Sequence, residues 1–446
     1  MIVVGVVGLV LGAGVVAGVG VGSSGGREHH DPIIIRSNEE FTWMNGVTGG
    51  SGTVEDPFVI EGWDIVKSSW INFGIWICGT TAYFVVRNCT IHDFVGENQS
   101  CQGILLQVVS HGSVAEVQFS DDTLGVWVYN CSDISMEGCV CEDCNSGFWV
   151  DDSDRVLVRE CEVSGMANGS YNLGIGFLCA GSSYVVFENC SSHDNQYGID
   201  FASTSNERPA INDAVVNCTF FRNSCQGIYL LKDPFLNGVQ GVVIRGCTVD
   251  ACGWDNGSGI ELLRMRHVVI DHCTLRGNRQ GVALHGCADI AVENCTIIGR
   301  IVPPWFLGSG LVVDGFFPQS LHGNITVSHC DMYNLETGVL YSGERNCSFT
   351  KNNIFGNMVG LRVANELSLV TWVNLSGNNI MDNMKVGLLV GKGAIVDARG
   401  NWWGSRFGPS RAMLRLRGDL VLLLLVGVCR CRPWVTTQVV DAGVLS

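Results

Sequence analysis

Two carboxylates, Asp200 and Glu261, and four aromatic residues, Trp76, Trp127, Trp149 and Tyr229, each stand two residues after a glycine. Flat apolar rings for stacking, beside acids that accept hydrogen bonds from hydroxyls, are the components of a groove for sugar rings. The opposing reading is that a terminal segment or an inserted loop covers the tryptophans and leaves no site. If successive glycine-led units pile at the strand spacing of about 4.8 Å, the backbones of Asp200 and Glu261 lie about 9.6 Å apart. Inverting glycosidases hold their carboxyl groups about 6.5 to 9.5 Å apart, so this pair also suits a hydrolase or lyase, with Arg362 as a further candidate. Four residues after glycines of the same series stand Asp151, His285 and Asp314, the last two on adjacent units. A His beside an Asp suits acid–base work or a metal, and equally forms a plain surface pair, the reading preferred here. Residues 151–154, Asp-Asp-Ser-Asp, lack the Gly and closing Glu of a calcium loop and read as a solvated turn.

What must position these residues is a repeat. A Gly followed by an apolar-x-apolar triplet recurs at Gly74, Gly103, Gly125, Gly147, Gly176, Gly198, Gly227, Gly259, Gly281, Gly310, Gly338, Gly360 and Gly387. Cys139, Cys161, Cys190, Cys273 and Cys295 fall 14 residues after their glycines, and Asn352 and Asn401 keep that offset. At Cys218, Cys247 and Cys330 the offset is 20, a loop of six residues inserted into a fixed frame. Within a unit, apolar residues pair with the period of two that marks a strand with one face inward, as at Val282 and Leu284, Ile290 and Val292, Cys295 and Ile297. Three short strands per unit of about 22 residues describe an all-β parallel β-helix of about 13 coils, roughly 60 Å long. One interior column then runs as cysteine and changes to Asn352, Asn378 and Asn401. Stacked cysteines with parallel Cβ vectors a full strand spacing apart do not meet disulfide geometry, so mostly free thiols are expected. A wire of metal-binding thiolates is the weaker alternative.

Composition agrees. The chain has 446 residues, 46% hydrophobic and 16% charged, with Lys+Arg 27 against Asp+Glu 43 and a net charge of −16. That excludes disorder and gives a phosphate backbone nothing to bind, so no nucleic-acid partner is expected. The 57 glycines lack a collagen period and read as frequent turns, and the odd count of 21 cysteines cannot pair completely.

Residues 2–22 carry no charged or polar side chain, the mark of a secretory signal or membrane anchor within residues 1–26, although no Lys or Arg precedes them. An exported, extracellular or cell-surface protein is expected, with membrane tethering through residues 2–22 left open. Residues 420–428 are apolar but too short to cross a bilayer as a helix, and a buried terminal strand capping the rod is the plainer reading. Of eleven Asn-x-Ser/Thr sequons, those at Asn88, Asn189, Asn217 and Asn294 are the Asn-Cys turn of the repeat, leaving seven as a glycosylation signal.

Three segments resemble the NosD-like right-handed parallel β-helix proteins of archaea and bacteria, which are grouped with carbohydrate-binding and sugar-hydrolase β-helices. The first is residues 52–63, Gly-Thr-Val-Glu-Asp-Pro-Phe-Val-Ile-Glu-Gly-Trp; the second is the repeat itself. The third is residues 400–404, Gly-Asn-Trp-Trp-Gly, with Gly408-Pro409-Ser410 and Pro433-Trp434. The resemblance implies a right-handed winding, an opening and cap segment over 33–73, the β-helix over 74–405 and a closing cap over 406–446. Through its namesake it also implies copper handling, for which His29, His30 and Asp31, Cys141 with Cys144, or Cys429 with Cys431 are candidates. No metal is assigned: His29, His30, His285 and Asp314 are the residues to watch, and Cys141 falls on an inward position that favours core.

The expectation is an exported β-helix that binds polysaccharide or a surface glycan along Trp76, Trp127, Trp149 and Tyr229 without catalysis. A polysaccharide lyase or glycoside hydrolase using Asp200, Glu261 and Arg362, and a NosD-like copper accessory protein, are the alternatives.

Overall fold

The computed structural model describes residues 27–68, 70–96, 101–166, 174–202, 211–231, 241–254, 257–302, 305–315, 323–342, 347–364, 371–410, 421–423 and 428–444. The apolar run 2–22 lies outside them, as do the sequons at Asn98, Asn168, Asn256 and Asn346. Three sheets of 15, 16 and 14 strands form the walls of a solenoid, and the chain visits them in that order in every turn. The first face holds all thirteen glycine-led strands, from Phe73–Cys78 to Val386–Val390, in consecutive places. Neighbours pair in parallel throughout these three sheets except at Val47–Gly49 with Phe58–Glu61, where the opening segment folds back antiparallel. Among the described residues no helix is long and apolar enough to cross a membrane.

The repeat glycines are required by space. A Cβ on Gly147 would lie 2.2 Å from the Gly176 carbonyl oxygen and 2.4 Å from Val163 Cγ1, and one on Gly360 would lie 2.4 Å from the Gly387 oxygen. At each of these corners the backbone of one coil rests directly on that of the next. The turn before the cysteine column has another demand. Asn88, Asn189, Asn217 and Asn294 have φ near 50°, at 49°, 53°, 53° and 53°, a left-handed conformation that Asn tolerates better than most residues. Two further sequon residues, Asn130 and Asn324, sit in left-handed turns as well, at 51° and 56°.

The interior is filled as the period of two predicts. Val282, Leu284, Ile290, Val292, Cys295 and Ile297 are all at most 1% exposed. Aromatic rings interlock edge to face along the axis, Phe148 on Phe177 at 5.9 Å, Phe177 on Phe187 at 5.5 Å and Phe187 on Phe201 at 6.0 Å. The 21 cysteines form no disulfide. The column cysteines do more than fill space: the thiols of Cys139, Cys218, Cys247 and Cys330 donate to the carbonyls of Val114, Phe187, Val215 and Val292 on the preceding coil. Burial pushes the Cys131 and Cys287 thiols, at another corner, up to about 11 and about 12, so they are neutral at pH 7.

Where the column turns to asparagine, the same corner is closed by amides. Asn378 Oδ1 accepts from the Asn352 N–H at 2.9 Å, its Nδ2 donates to the Phe349 carbonyl at 2.9 Å, and Asn401 Oδ1 accepts from the Asn378 N–H at 2.8 Å. The corner between the third and first faces carries a second ladder through Asn195, Asn223, Asn278, Asn357 and Asn383. There Oδ1 accepts a backbone N–H of the preceding coil, as from Met166 to Asn195, and Nδ2 donates to a carbonyl, as from Asn195 to Val163. Asp122 occupies the same position one-sidedly: its Oδ1 accepts from the Phe94 N–H at 2.8 Å, while Oδ2 is buried with no partner among the described residues.

A carboxylate with half its ladder bonds missing is a pH liability. Burial, opposed by the Phe94 hydrogen bond, holds the Asp122 pKa well above the usual carboxylate range. The folded state therefore keeps a proton that the unfolded chain releases above about pH 4, so the stability resting on this group is whole below that pH and declines as pH rises. Asp122→Asn supplies the missing donor. Urea denaturation is expected to show the variant more stable than wild type by about 1 kcal/mol at pH 8 and close to it at pH 4; an equal effect at both pH values contradicts the assignment.

Both ends are closed by aromatic contacts and tight glycine turns. Gly50, at φ 88°, lets the backbone pass the Pro57 carbonyl, and the amides of Ser51, Gly52 and Thr53 all donate to the Asp56 oxygen. Phe41 stacks on Phe58 at 4.6 Å over the first coil, and the Trp63 indole donates to the Gly46 carbonyl at 2.8 Å. At the far end Trp403 is fully buried, and Gly408 lies against the Trp434 ring. The run 420–428 does not make one terminal strand: Val421–Leu423 extends the first face and Val428–Arg430 extends the second, with Val428 itself 48% exposed. Residues 439–443 then lie along the third face, where Val439 and Asn379 exchange backbone and amide hydrogen bonds.

Candidate functional site on the outer wall of the first face

The residues two places after each glycine form one continuous outward file. Register runs Trp76, Leu105, Trp127, Trp149, Leu178, Asp200, Tyr229, Glu261, Ala283, Val312, Leu340, Arg362, each paired with the next. Asp200 and Glu261 are thus two coils apart with Tyr229 between them. Arg362 is four coils beyond Glu261, about 19 Å at the strand spacing, and exposed, so the structure removes it from the Asp200 and Glu261 neighbourhood.

The file has an aromatic half and an acidic half. Trp76, Trp127 and Trp149 are half-buried, and their indole nitrogens are buried without hydrogen-bond partners among the described residues. Because nitrogen is the one polar atom of the ring, what each indole offers to solvent is carbon surface. The rings do not make a flat pavement: Trp127 and Trp149 meet edge to face at 6.3 Å and 81°. Their flanking column, Gln102, Leu124, Ser146 and Ile175, is buried although it points outward, so the tryptophans are partly covered. Neither full exposure nor full coverage holds.

In the acidic half, side chains from three outward columns converge. His285 Nδ1 lies 2.9 Å from Asp314 Oδ1 and its Nε2 lies 3.9 Å from Glu261 Oε1. Glu261 Oε2 accepts from Gln226 Nε2 at 2.9 Å and from Ser258 Oγ at 3.2 Å. The pair His285 and Asp314 therefore belongs to a half-buried network with Glu261, with 20% and 24% of their side chains exposed, and is not an isolated surface pair. Burial pulls the imidazole pKa down, and the Asp314 hydrogen bond overrides it to leave the value raised. Asp200 is 8% exposed, its Oδ1 has no hydrogen-bond partner among the described residues, and burial lifts its pKa to about 7. Asp151 is lifted by burial and then by Asp152 to about 6, and Tyr229 is raised by burial ahead of Glu261 and Asp200.

Residues 73–236 and 235–402 match the family model described as the right handed beta helix region. The chain belongs to the right-handed parallel β-helix family. Solved β-helices similar to it include the periplasmic alginate epimerase AlgG, at 13% identity and a TM-score of 0.39, over 83% of this chain and 78% of that one. The Azotobacter vinelandii mannuronan C-5 epimerase A-module is similar at 13% identity and 0.43, over 84% and 90%. The tailspike of E. coli bacteriophage HK620 in complex with pentasaccharide is similar at 11% and 0.43, over 87% and 78%. No curated protein matches the chain.

The copper candidates are scattered over the β-helix. His29 is exposed on the strand Glu28–His30 at the N-terminal edge of the third face, and His30 packs at a tilt against Trp63 with ring centroids 4.7 Å apart, away from His285 and Asp314. Cys141 and Cys144 are both 0% exposed and fill the core. Cys429 and Cys431 stand with sulfurs 2.8 Å apart at the C-terminal end. Sequence reasoning missed Gln226 and Ser258, which hold Glu261; the signal was the residue just before each glycine, which also faces outward. The inserted loops fall between the first and second faces, at 203–210, 232–240 and 316–322, outside the described residues.

Proposed function

We propose that this β-helix is a glycan-binding protein of the extracellular or cell-surface space, and that polysaccharide lies along the first face over Trp76, Trp127, Trp149 and Tyr229. The observation that carries the reading is the straight outward file in which half-buried indoles, presenting only carbon, are followed past Leu178 by hydrogen-bonding acids. A rise of about 4.8 Å per coil is close to the length of one pyranose, so successive rings of an extended chain meet successive coils. Carbon surface serves the apolar face of a sugar, while Gln226, Asp200 and Glu261 serve its hydroxyls. The surface setting is supported by the apolar run 2–22, and the many cysteine thiols fit it because burial keeps them from oxidants.

The double variant Trp127→Ala, Trp149→Ala is expected to lose at least about tenfold in affinity for a bound polysaccharide in affinity electrophoresis, with the far-ultraviolet circular dichroism of wild type. Unchanged affinity contradicts the reading. A second reading, cleavage or elimination of the bound glycan, is favoured by Asp200 alone, a buried carboxyl lifted to about 7 beside Tyr229 and two coils from Glu261. Release of reducing or unsaturated ends, abolished in Asp200→Asn, tests it; release that persists in the variant removes Asp200 from the chemistry.

A further inference from the structure

We infer that the glycan taken by this face is uncharged, and that the carboxylates beside the tryptophans reject polyuronates. The inference rests on the glycan-binding reading and narrows it to a ligand class. On the three outward columns of the first face, from the strand Ser146–Asp151 to the strand Ser309–Asp314, the carboxyl groups are Asp151, Asp200, Glu261 and Asp314. Among the described residues of those columns the basic side chain is His285, already engaged by Asp314 at 2.9 Å. Arg264 and Arg279 stand in the adjoining turns, one residue beyond the strand Ile260–Leu263 and one before the strand Gln280–His285. The stretches following these strands do not change the balance: residues 203–210 carry one Glu and one Arg, residues 232–240 one Lys and one Asp, and residues 316–322 no acid and a single His.

Acids alone would be a solvated surface. What marks this cluster as a recognition site is Asp200, over nine-tenths buried on an outward position with Oδ1 unpartnered among the described residues. A buried carboxyl left short of partners is costly, and a hydroxyl seated against Asp200 can donate a hydrogen bond to it where a second carboxylate cannot. A polyuronate brings one carboxylate per ring, hence about one per coil, onto a wall with carboxyl groups on four of seven coils and, in its described outward columns, no Lys or Arg, the nearest being Arg264 and Arg279 in the adjoining turns. Like-charge juxtaposition of this kind selects against a ligand without improving any contact to the right one.

The test is binding of the folded protein to size-matched neutral polymers (a mannan and a β-glucan), to polygalacturonate and alginate, and to chitosan, at low salt and at about 0.5 M salt. At least one neutral polymer is expected to bind with affinity insensitive to salt. The polyuronates are expected to bind at least about tenfold more weakly at low salt and to gain when salt is added, and Glu261→Gln with Asp314→Asn is expected to narrow the gap. Tighter binding of a polyuronate, or of chitosan with steep salt dependence, overturns the inference while the glycan-binding reading stands. If no polymer binds under any condition, that reading falls and the inference falls with it.

Discussion

Gly147→Val is expected to destabilise the protein by about 3 kcal/mol or more, among the largest effects a single substitution can have on this fold. Even the first added carbon would sit 2.2 Å from the Gly176 carbonyl oxygen and 2.4 Å from Val163 Cγ1, closer than carbon approaches either atom. One neighbour is backbone, held by strand pairs on both sides, so a rotamer change cannot relieve the clash and the coils have to be forced apart. In a solenoid each coil touches only its neighbours, so the damage is local in origin. Hydrogen exchange should show lost protection centred on the strands Ser146–Asp151 and Ile175–Ala180, spreading outward, with a lowered midpoint in guanidinium. Uniform weakening along the rod, or no weakening, contradicts the steric account of the glycine repeat.

Asn378→Ala is the second large effect, expected to cost about 3 kcal/mol. Its side chain joins three coils at the corner between the second and third faces. Removing the amide strips partners from the Asn352 N–H and the Phe349 carbonyl, both buried, and from the Asn401 carboxamide that approaches Asn378 Nδ2 at 2.9 Å. Asn378→Cys is expected to be milder, because a thiol at this corner still donates to the equivalent carbonyl on coils such as that of Cys218. Thermal melts of the two variants give the comparison. A cysteine variant no better than alanine would mean that the thiol bonds of the column contribute nothing.

The winding was legible because its causes repeat. A clash between stacked glycines, a left-handed Asn and an inward Cys leave the same marks every 22 residues or so, and thirteen copies of a weak signal add up. Columns could therefore be drawn before any coordinate, and Trp127, Trp149, Asp200 and Glu261 fall on the file assigned to them. What one-dimensional columns conceal is how far a side chain reaches sideways. Glu261 and His285 belong to different columns and meet on a diagonal between adjacent coils, which is why His285 and Asp314 read as a separate surface pair. Burial on an outward face was equally hidden: Asp200 and Ser146 point away from the core and are still 8% and 1% exposed. Asp122 escaped notice because an acid in a ladder of asparagines differs from them by one atom and has no periodic signature of its own. Arg362 shows the opposite error, since membership of a file says nothing about closeness along it.

The most direct test of the first face as the working surface is hydroxyl-radical footprinting of the tryptophans with and without a bound neutral polysaccharide. Trp127 and Trp149 should lose reactivity on binding, while Trp43 and Trp372, 81% and 51% exposed at the N-terminal cap and on the second face, should react as before. Protection of Trp372 in their place, or unaltered reactivity of Trp127 and Trp149 while polysaccharide is bound, would contradict it.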